Sequence, residues 1–331
     1  MNDDYLWDRS GLPDPEIARL EQMLAPFKQE EPLPPMVRLK PGTTGASTMA
    51  GRGFGMALLA ASVAIMIGGV ALAYRFRPPV PSFQVTGLAG VTRLPVGGWL
   101  ETTDQSMASI KVADIGEVSV ERRTRVRLIG TRTGDHRLEL ARGTLRATIW
   151  APPGQFSVAT PSSTAVDLGC AYTLTIDEEG AGLVTVTLGW VGFEWRGREA
   201  FIPAGSMCAT RPGIGPGTPY HKDTSPAVRA ALDTIDFRRG APDTSSAIGV
   251  VLAAAQERDE VTLWHLLARL EAGDRDRVFD RLAVFVPPPA GVTREGIRAG
   301  RRDMLDSWWD ALGLGTASWW RTWKQQWQDR R

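Results

Sequence analysis

FSVATPSSTAVDLGCAYTLTI, residues 156–176, and LVTVTLGWVGFEW, residues 183–195, alternate apolar with polar side chains or run β-branched between glycine- and proline-rich breaks. A period of two is what strands packed on one face produce. In the first stretch Val166, Leu168, Cys170, Tyr172, Leu174 and Ile176 fall on one side, with Asp167, Gly169, Thr173 and Thr175 on the other. Glu178-Glu179-Gly180-Ala181-Gly182 then reads as a hairpin connection. The pattern extends over residues 83–220, an all-β unit of roughly ten or more short strands. It carries no nucleophile motif, phosphate loop or paired-carboxylate signature, so an enzyme is not expected.

Upstream, residues 54–74 (FGMALLAASVAIMIGGVALAY) hold 21 consecutive uncharged residues, flanked by Arg52 and by Arg75 and Arg77. As a helix they would extend about 32 Å, the thickness of a bilayer's hydrocarbon core. A cleaved signal peptide would start near residue 1, and 53 residues precede this run. A core helix of that length would show a polar face. The expectation is therefore one transmembrane helix. Arg38, Lys40 and Arg52 on one side balance Arg75, Arg77 and Arg93 on the other, so the positive-inside rule leaves its direction open.

Residues 1–29 form a short acidic segment with two helical readings, and residues 30–53, rich in Pro, Gly, Ser and Thr, form a linker. Asn2 can cap a turn carrying Trp7, and Asp14-Pro15 starts a helix in which Ile17, Leu20, Leu24 and Phe27 share a stripe. So short a segment cannot bury that stripe by itself. It is either a peptide that docks in a partner's groove, with Trp7 as anchor, or a tail doing nothing specific.

Lys and Arg number 38 against 37 Asp and Glu, for a formal charge of +1, which gives no global field for nucleic acid. Three scattered histidines and two cysteines argue against a zinc cluster or haem motif, and no cofactor is expected. Cys170 and Cys208 are a disulfide candidate if the domain is exported, or two buried thiols.

From Thr224 the period returns to that of helices. Ser225-Pro226 opens one, and others are expected over residues 246–256, 260–272 (ended by Gly273) and 275–286 (ended by Pro287). The whole helical region spans residues 225–331, and paired short helices of this kind resemble a HEAT-type unit. Six of twelve tryptophans lie in the last 24 residues. Trp319, Trp320, Trp323 and Trp327 share one side of the final helix, either as a membrane-interface belt or as a cover for the fold.

The succession LPVGGWLETTDQSMASIKVADIGEVSVERRTRVRL, LARGTLRATI, FSVATPSSTAVDLGCAYTLTI and VTVTLGWVGFEWRGREAFIPAGSMCATRP resembles the FecR domain. Gly143, Thr160-Pro161, Gly169 and Gly189 fall where that family's pattern places them, Cys170 stands where it commonly has Thr, and Ile115-Gly116-Glu117 matches only loosely. The resemblance implies a single-pass inner-membrane regulator with its N-terminus in the cytoplasm and its β domain, a solenoid- or sandwich-like sheet, in the periplasm. It implies an anti-sigma role, with an ECF sigma factor held by a segment similar to Asp4–Leu24, shorter here than the family's usual head. The alternative is an envelope scaffold or ligand-binding protein that contacts another protein or a glycan and has no sigma partner. Neither reading includes direct contact with nucleic acid.

Overall fold

A computed structural model describes residues 81–238 and 243–329, and residues 78–331 cluster as one compact unit. Sixteen strands, β1 to β16 in chain order, form one hydrogen-bonded network among the described residues. The early strands are β1 (Ser82–Thr86), β2 (Arg93–Pro95), β3 (Trp99–Glu101), β4 (Ala108–Val112), β5 (Gly116–Val120) and β6 (Arg125–Arg132). After β7 (Asp135–Ile149) come β8 (Phe156–Ala159), β9 (Thr164–Asp167), β10 (Ala171–Ile176) and β11 (Gly182–Leu188). The last are β12 (Trp190–Trp195), β13 (Arg198–Pro203), β14 (Ser206–Arg211), β15 (Gly215–Pro216) and β16 (Tyr220–His221).

The network divides into two sheets joined through β7. The early half of β7 pairs with β6 and β8 in one sheet, and its late half pairs with β5 and β10 in the other. The switch falls at Gly143, where φ is +91° and an added Cβ would sit 2.5 Å from the Thr124 Cα. Only glycine adopts that backbone without strain and also admits so close a neighbour. Both sheets turn one face to a common core that includes Val118, Leu128, Leu138, Leu145, Val158, Leu174 and Ile202. The expected all-β unit is present in this form.

One detail of the strand reading is corrected. Val166 through Ile176 is not a single strand with one apolar face. The chain leaves β9 in one sheet, turns at Gly169 with φ +81°, and enters β10 in the other. Val166 and Leu168 consequently face the second core, while Cys170, Tyr172, Leu174 and Ile176 face the first.

That second core lies between the outer face of β9, β12 and β13 and a helical layer. The helices are α1 (Pro226–Phe237), α2 (Thr244–Ala254), α3 (Glu260–Arg269), α4 (Ala272–Phe285), α5 (Arg294–Arg298), α6 (Arg302–Ala311) and α7 (Ala317–Asp329), with a 3-10 turn at Glu257–Asp259. Ser225 caps α1 as its sequence signals, its side chain accepting from the Val228 N–H. The expected stop at Gly273 is wrong: α3 ends at Arg269, Leu270 turns extended, and Gly273 lies inside α4. Leu270 is buried, and its carbonyl accepts from Arg275 Nη2 at 2.6 Å, so a core contact and a capping guanidinium set the break.

Among the described residues no helix is long and apolar enough to cross a membrane. The stretch 54–74 lies outside those residues, as do Trp7, Ile17, Leu20, Leu24 and Phe27.

Replacing Gly143 tests the two-sheet junction. Gly143→Val combines backbone strain with a clash against Thr124, so urea unfolding should show a loss of about 3 kcal/mol or more. Gly134→Val, at a positive-φ turn with open space around it, should cost less.

Candidate functional site

Strand β13 is the edge of its sheet, pairing with β12 alone. An edge leaves a row of backbone N–H and C=O groups pointing outward. Two side chains of α3 take them up. His265 Nε2 accepts from the Phe201 N–H at 3.0 Å, and Arg269 Nη2 donates to the Glu199 carbonyl at 2.6 Å. Four residues along a helix advance about 6 Å and two along a strand about 6.7 Å, so the spacings match. Since Nε2 accepts, the ring proton sits on Nδ1, which donates to the Val261 carbonyl at 2.8 Å.

Arg269 also ties this edge to a buried carboxylate. Asp236 is 4% exposed and accepts from Arg198 Nη2 at 2.8 Å, from Arg269 Nη1 at 3.2 Å and from the Thr218 backbone N–H at 2.6 Å. Two guanidinium groups thus compensate one desolvated charge and join α1, α3, β13 and the segment before β16. Around the edge, rings of Trp190, Phe201, Trp264 and Trp309 pack at 4.7–6.0 Å between centroids, two pairs tilted and two edge to face. Lys324 of α7 completes the seal, meeting Glu194 at 2.8 Å and Glu199.

The N-terminal end of α3 borders a cavity of about 170 Å³ between α1, α2 and the 3-10 turn. That is room for about ten waters or a small polar ligand. Val228 and Val251 give it an apolar wall, while Asp223, Thr224, Arg258 and Thr262 give it polar groups of both signs. The Thr224 hydroxyl is buried there without a hydrogen-bond partner, and Thr262 Oγ1 donates to the Pro219 carbonyl at 2.8 Å. The arrangement suits binding of a small molecule with both donors and acceptors. Among the described residues no group of three His, Cys, Asp or Glu is placed to hold a metal.

The sequence-derived sites fare unevenly. Cys170 and Cys208 are both free and buried, so the disulfide is not formed. Register explains it. Leu174 faces Val184, which faces Cys208, and Cys170 is four residues from Leu174. The two thiols are therefore about 13 Å apart along the strands and two strand spacings apart across them, far beyond disulfide reach. Each thiol donates instead, Cys170 to Asp167 Oδ2 at 2.8 Å and Cys208 to the Gly217 carbonyl at 3.2 Å. Trp327 is 6% exposed within the second core, so it does not present its ring to lipid. The side chains of Trp319, Trp320 and Trp323 lie outside the described residues. The His265–Arg269 pair was missed. Its only sequence signal is a histidine and an arginine four apart on one helix.

Two buried groups in this region titrate in opposite senses. Burial, reinforced by the Arg269 charge, pushes His265 down to about 3. Burial pushes Asp167 up to about 7, against hydrogen bonds from Cys170 and the Gly169 N–H. The unfolded histidine gains its proton near pH 6.5, so its contribution is full above that and lost on acidification toward 3. The unfolded aspartate loses its proton near 3.8, so its contribution is full below that and lost as pH rises through 7. Between roughly pH 4 and 6.5 the two slopes oppose each other. Relative to the parent, His265→Gln should lose stability as pH rises across that window and Asp167→Asn should gain it. Each difference approaches about 1.4 kcal/mol per pH unit, read by urea titrations at several pH values.

The family model described as FecR protein matches residues 99–192, from β3 into β12. No curated protein matches the chain. Two crystal structures of a candidate anti-sigma factor from Parabacteroides distasonis ATCC 8503, at 1.65 and 2.50 Å resolution, are similar at 14% identity and a TM-score of 0.33. Each match covers 40% of this chain and 63% or 62% of the other, and likeness that weak carries no structural argument. The match to the FecR family model is confined to residues 99–192, laid over strands that include the two-sheet β7.

Proposed function

We propose that the chain is a membrane-anchored regulator that relays an envelope signal to a cytoplasmic ECF sigma factor. The observation that carries this reading is the FecR match over residues 99–192, placed C-terminal to the 21-residue uncharged run at 54–74. The order of segments supports it further: an acidic head with an apolar stripe, a linker rich in Pro, Gly, Ser and Thr, an apolar run, then a folded β unit. In this reading residues 54–74 span the inner membrane once, residues 1–29 lie in the cytoplasm, and the β and helical units lie in the periplasm.

The head works by burial and charge. Ile17, Leu20, Leu24 and Phe27 lie along one helical stripe, which a groove on the sigma factor covers, with Trp7 as anchor. The neighbouring acids meet a partner surface that is basic because it otherwise binds DNA. Signal input belongs to the folded side, where the cavity beside α3 offers a small-molecule site on the helix that clamps β13.

Capture of the sigma factor tests the reading. Detergent-solubilised protein should retain an ECF sigma factor of the same cell when the two are co-expressed. Leu20→Glu/Leu24→Glu removes two buried leucines worth about 2 kcal/mol each, so affinity should fall by at least about 100-fold. Failure of the parent protein to retain any sigma factor removes the regulator reading and leaves an anchored envelope binding module.

A further inference from the structure

Six strands of the first sheet share one register row: Gln84, Lys111, Glu117, Thr148, Ala171 and Leu188. Following the antiparallel directions, one side of that row leads to Ser82, to the turn at Ala113–Ile115, to Trp150 and to the Leu188–Gly189 crossing into β12. The other side leads to the hairpin at residues 177–181 between β10 and β11. The chain therefore enters the domain at the same end of the sheet that carries Trp150 and Leu188.

Those two side chains are 68% and 66% exposed, high for residues of their size. Trp99, the other exposed tryptophan on the sheets, is stacked under the guanidinium groups of Arg125 and Arg127 at 4.2 and 4.9 Å. On the outer face Thr148, Ala171 and Leu188 lie in one row, and Trp150 follows two residues beyond Thr148, so Trp150 and Leu188 are about two strand spacings apart across the sheet and about 7 Å apart along it. Lys111 lies on the same face, and Arg93 donates to Ser82 Oγ at 3.1 Å beside the entry point. Asp114 and Glu117 are the acids nearby, and Glu117 accepts from Ser109.

Chain length says what lies close. Seven residues separate Tyr74, the end of the apolar run, from Ser82. Seven residues reach at most about 25 Å. We propose that the sheet end carrying Trp150 and Leu188 rests on the lipid headgroup layer of the membrane to which the chain is anchored. An indole ring takes that layer because its body is apolar and its N–H remains hydrated, and leucine adds apolar area beside it. Lys111 and Arg93 stand ready for anionic headgroups. The proposal rests on the anchored reading above, and it fixes which end of the domain faces lipid.

The test uses the full-length chain in vesicles of phosphatidylethanolamine and phosphatidylglycerol, with a fluorophore on a single introduced cysteine. Thr148→Cys places the probe beside Trp150, two residues back along β7 and two strands from Leu188, without removing either. Glu178→Cys places it on the far hairpin. Cys170 and Cys208 are 1% and 0% exposed, so they stay unlabelled. Lipids spin-labelled at the headgroup should quench the Thr148→Cys probe several-fold more than the Glu178→Cys probe. Adding Trp150→Glu/Leu188→Glu should erase most of that difference. Equal quenching at both positions, in protein that floats with the vesicles, overturns this proposal and leaves the anchored reading standing. Probe self-quenching that ignores the labelled lipid indicates a second copy on this face and overturns it too. Protein that does not float overturns the anchored reading, and the proposal with it.

Discussion

The helical layer is held to the sheets by an exchange of hydrogen bonds at one strand edge. His265 and Arg269 stand where a neighbouring strand would stand, one accepting from Phe201 and the other donating to Glu199. A bare edge invites pairing with another chain, and here the helix blocks it. The rest of the layer follows from this seam. Asp236 can be buried because Arg269, already fixed on β13, brings one of its two compensating charges. The ring cluster of Trp190, Phe201, Trp264 and Trp309 packs over the same seam, so polar and apolar contacts fix one geometry.

The two sheets depend in turn on a single strand. Because β7 belongs to both, the sheets cannot slide past each other without breaking its pairing on one side. Gly143 makes that sharing possible, and the cores on either side then differ in character. The inner core is mostly aliphatic and holds no tryptophan, with Phe83, Phe156, Tyr172 and Phe193 as its rings, whereas the outer one is rich in tryptophan and bordered by arginine. Arginine caps recur there: Arg275 donates to the Ile297, Arg298 and Leu270 carbonyls, and Arg281 to that of Ala255.

How far the sequence could be read depended on whether the deciding contact was local. Ser225-Pro226 announced the start of α1, and the glycines at 180 and 182 announced the β10–β11 hairpin, because capping and turn chemistry are settled within four residues. The alternation in residues 171–176 was legible for the same reason. The crossing at Gly169 was not, since a period of two continues through a change of sheet and conceals that the faces have swapped. The disulfide expectation failed on register, which two cysteines in isolation do not reveal. Gly273 looked like a helix stop, but burial of Leu270 and the reach of Arg275 placed the break earlier. The edge clamp was the least legible feature, because its acceptor and donor are backbone atoms more than sixty residues upstream.

The order in which these parts emerge during synthesis follows from the same seam. Strand β13 is made well before α3, so its open side has no cover until the polypeptide has grown past residue 269. Through that interval a nascent sheet carries an adhesive border. A shortened product ending near residue 221 would keep that border for good and would be prone to clump. Helix α3 is therefore what closes the border of the β unit, although the family match ends at residue 192, long before it.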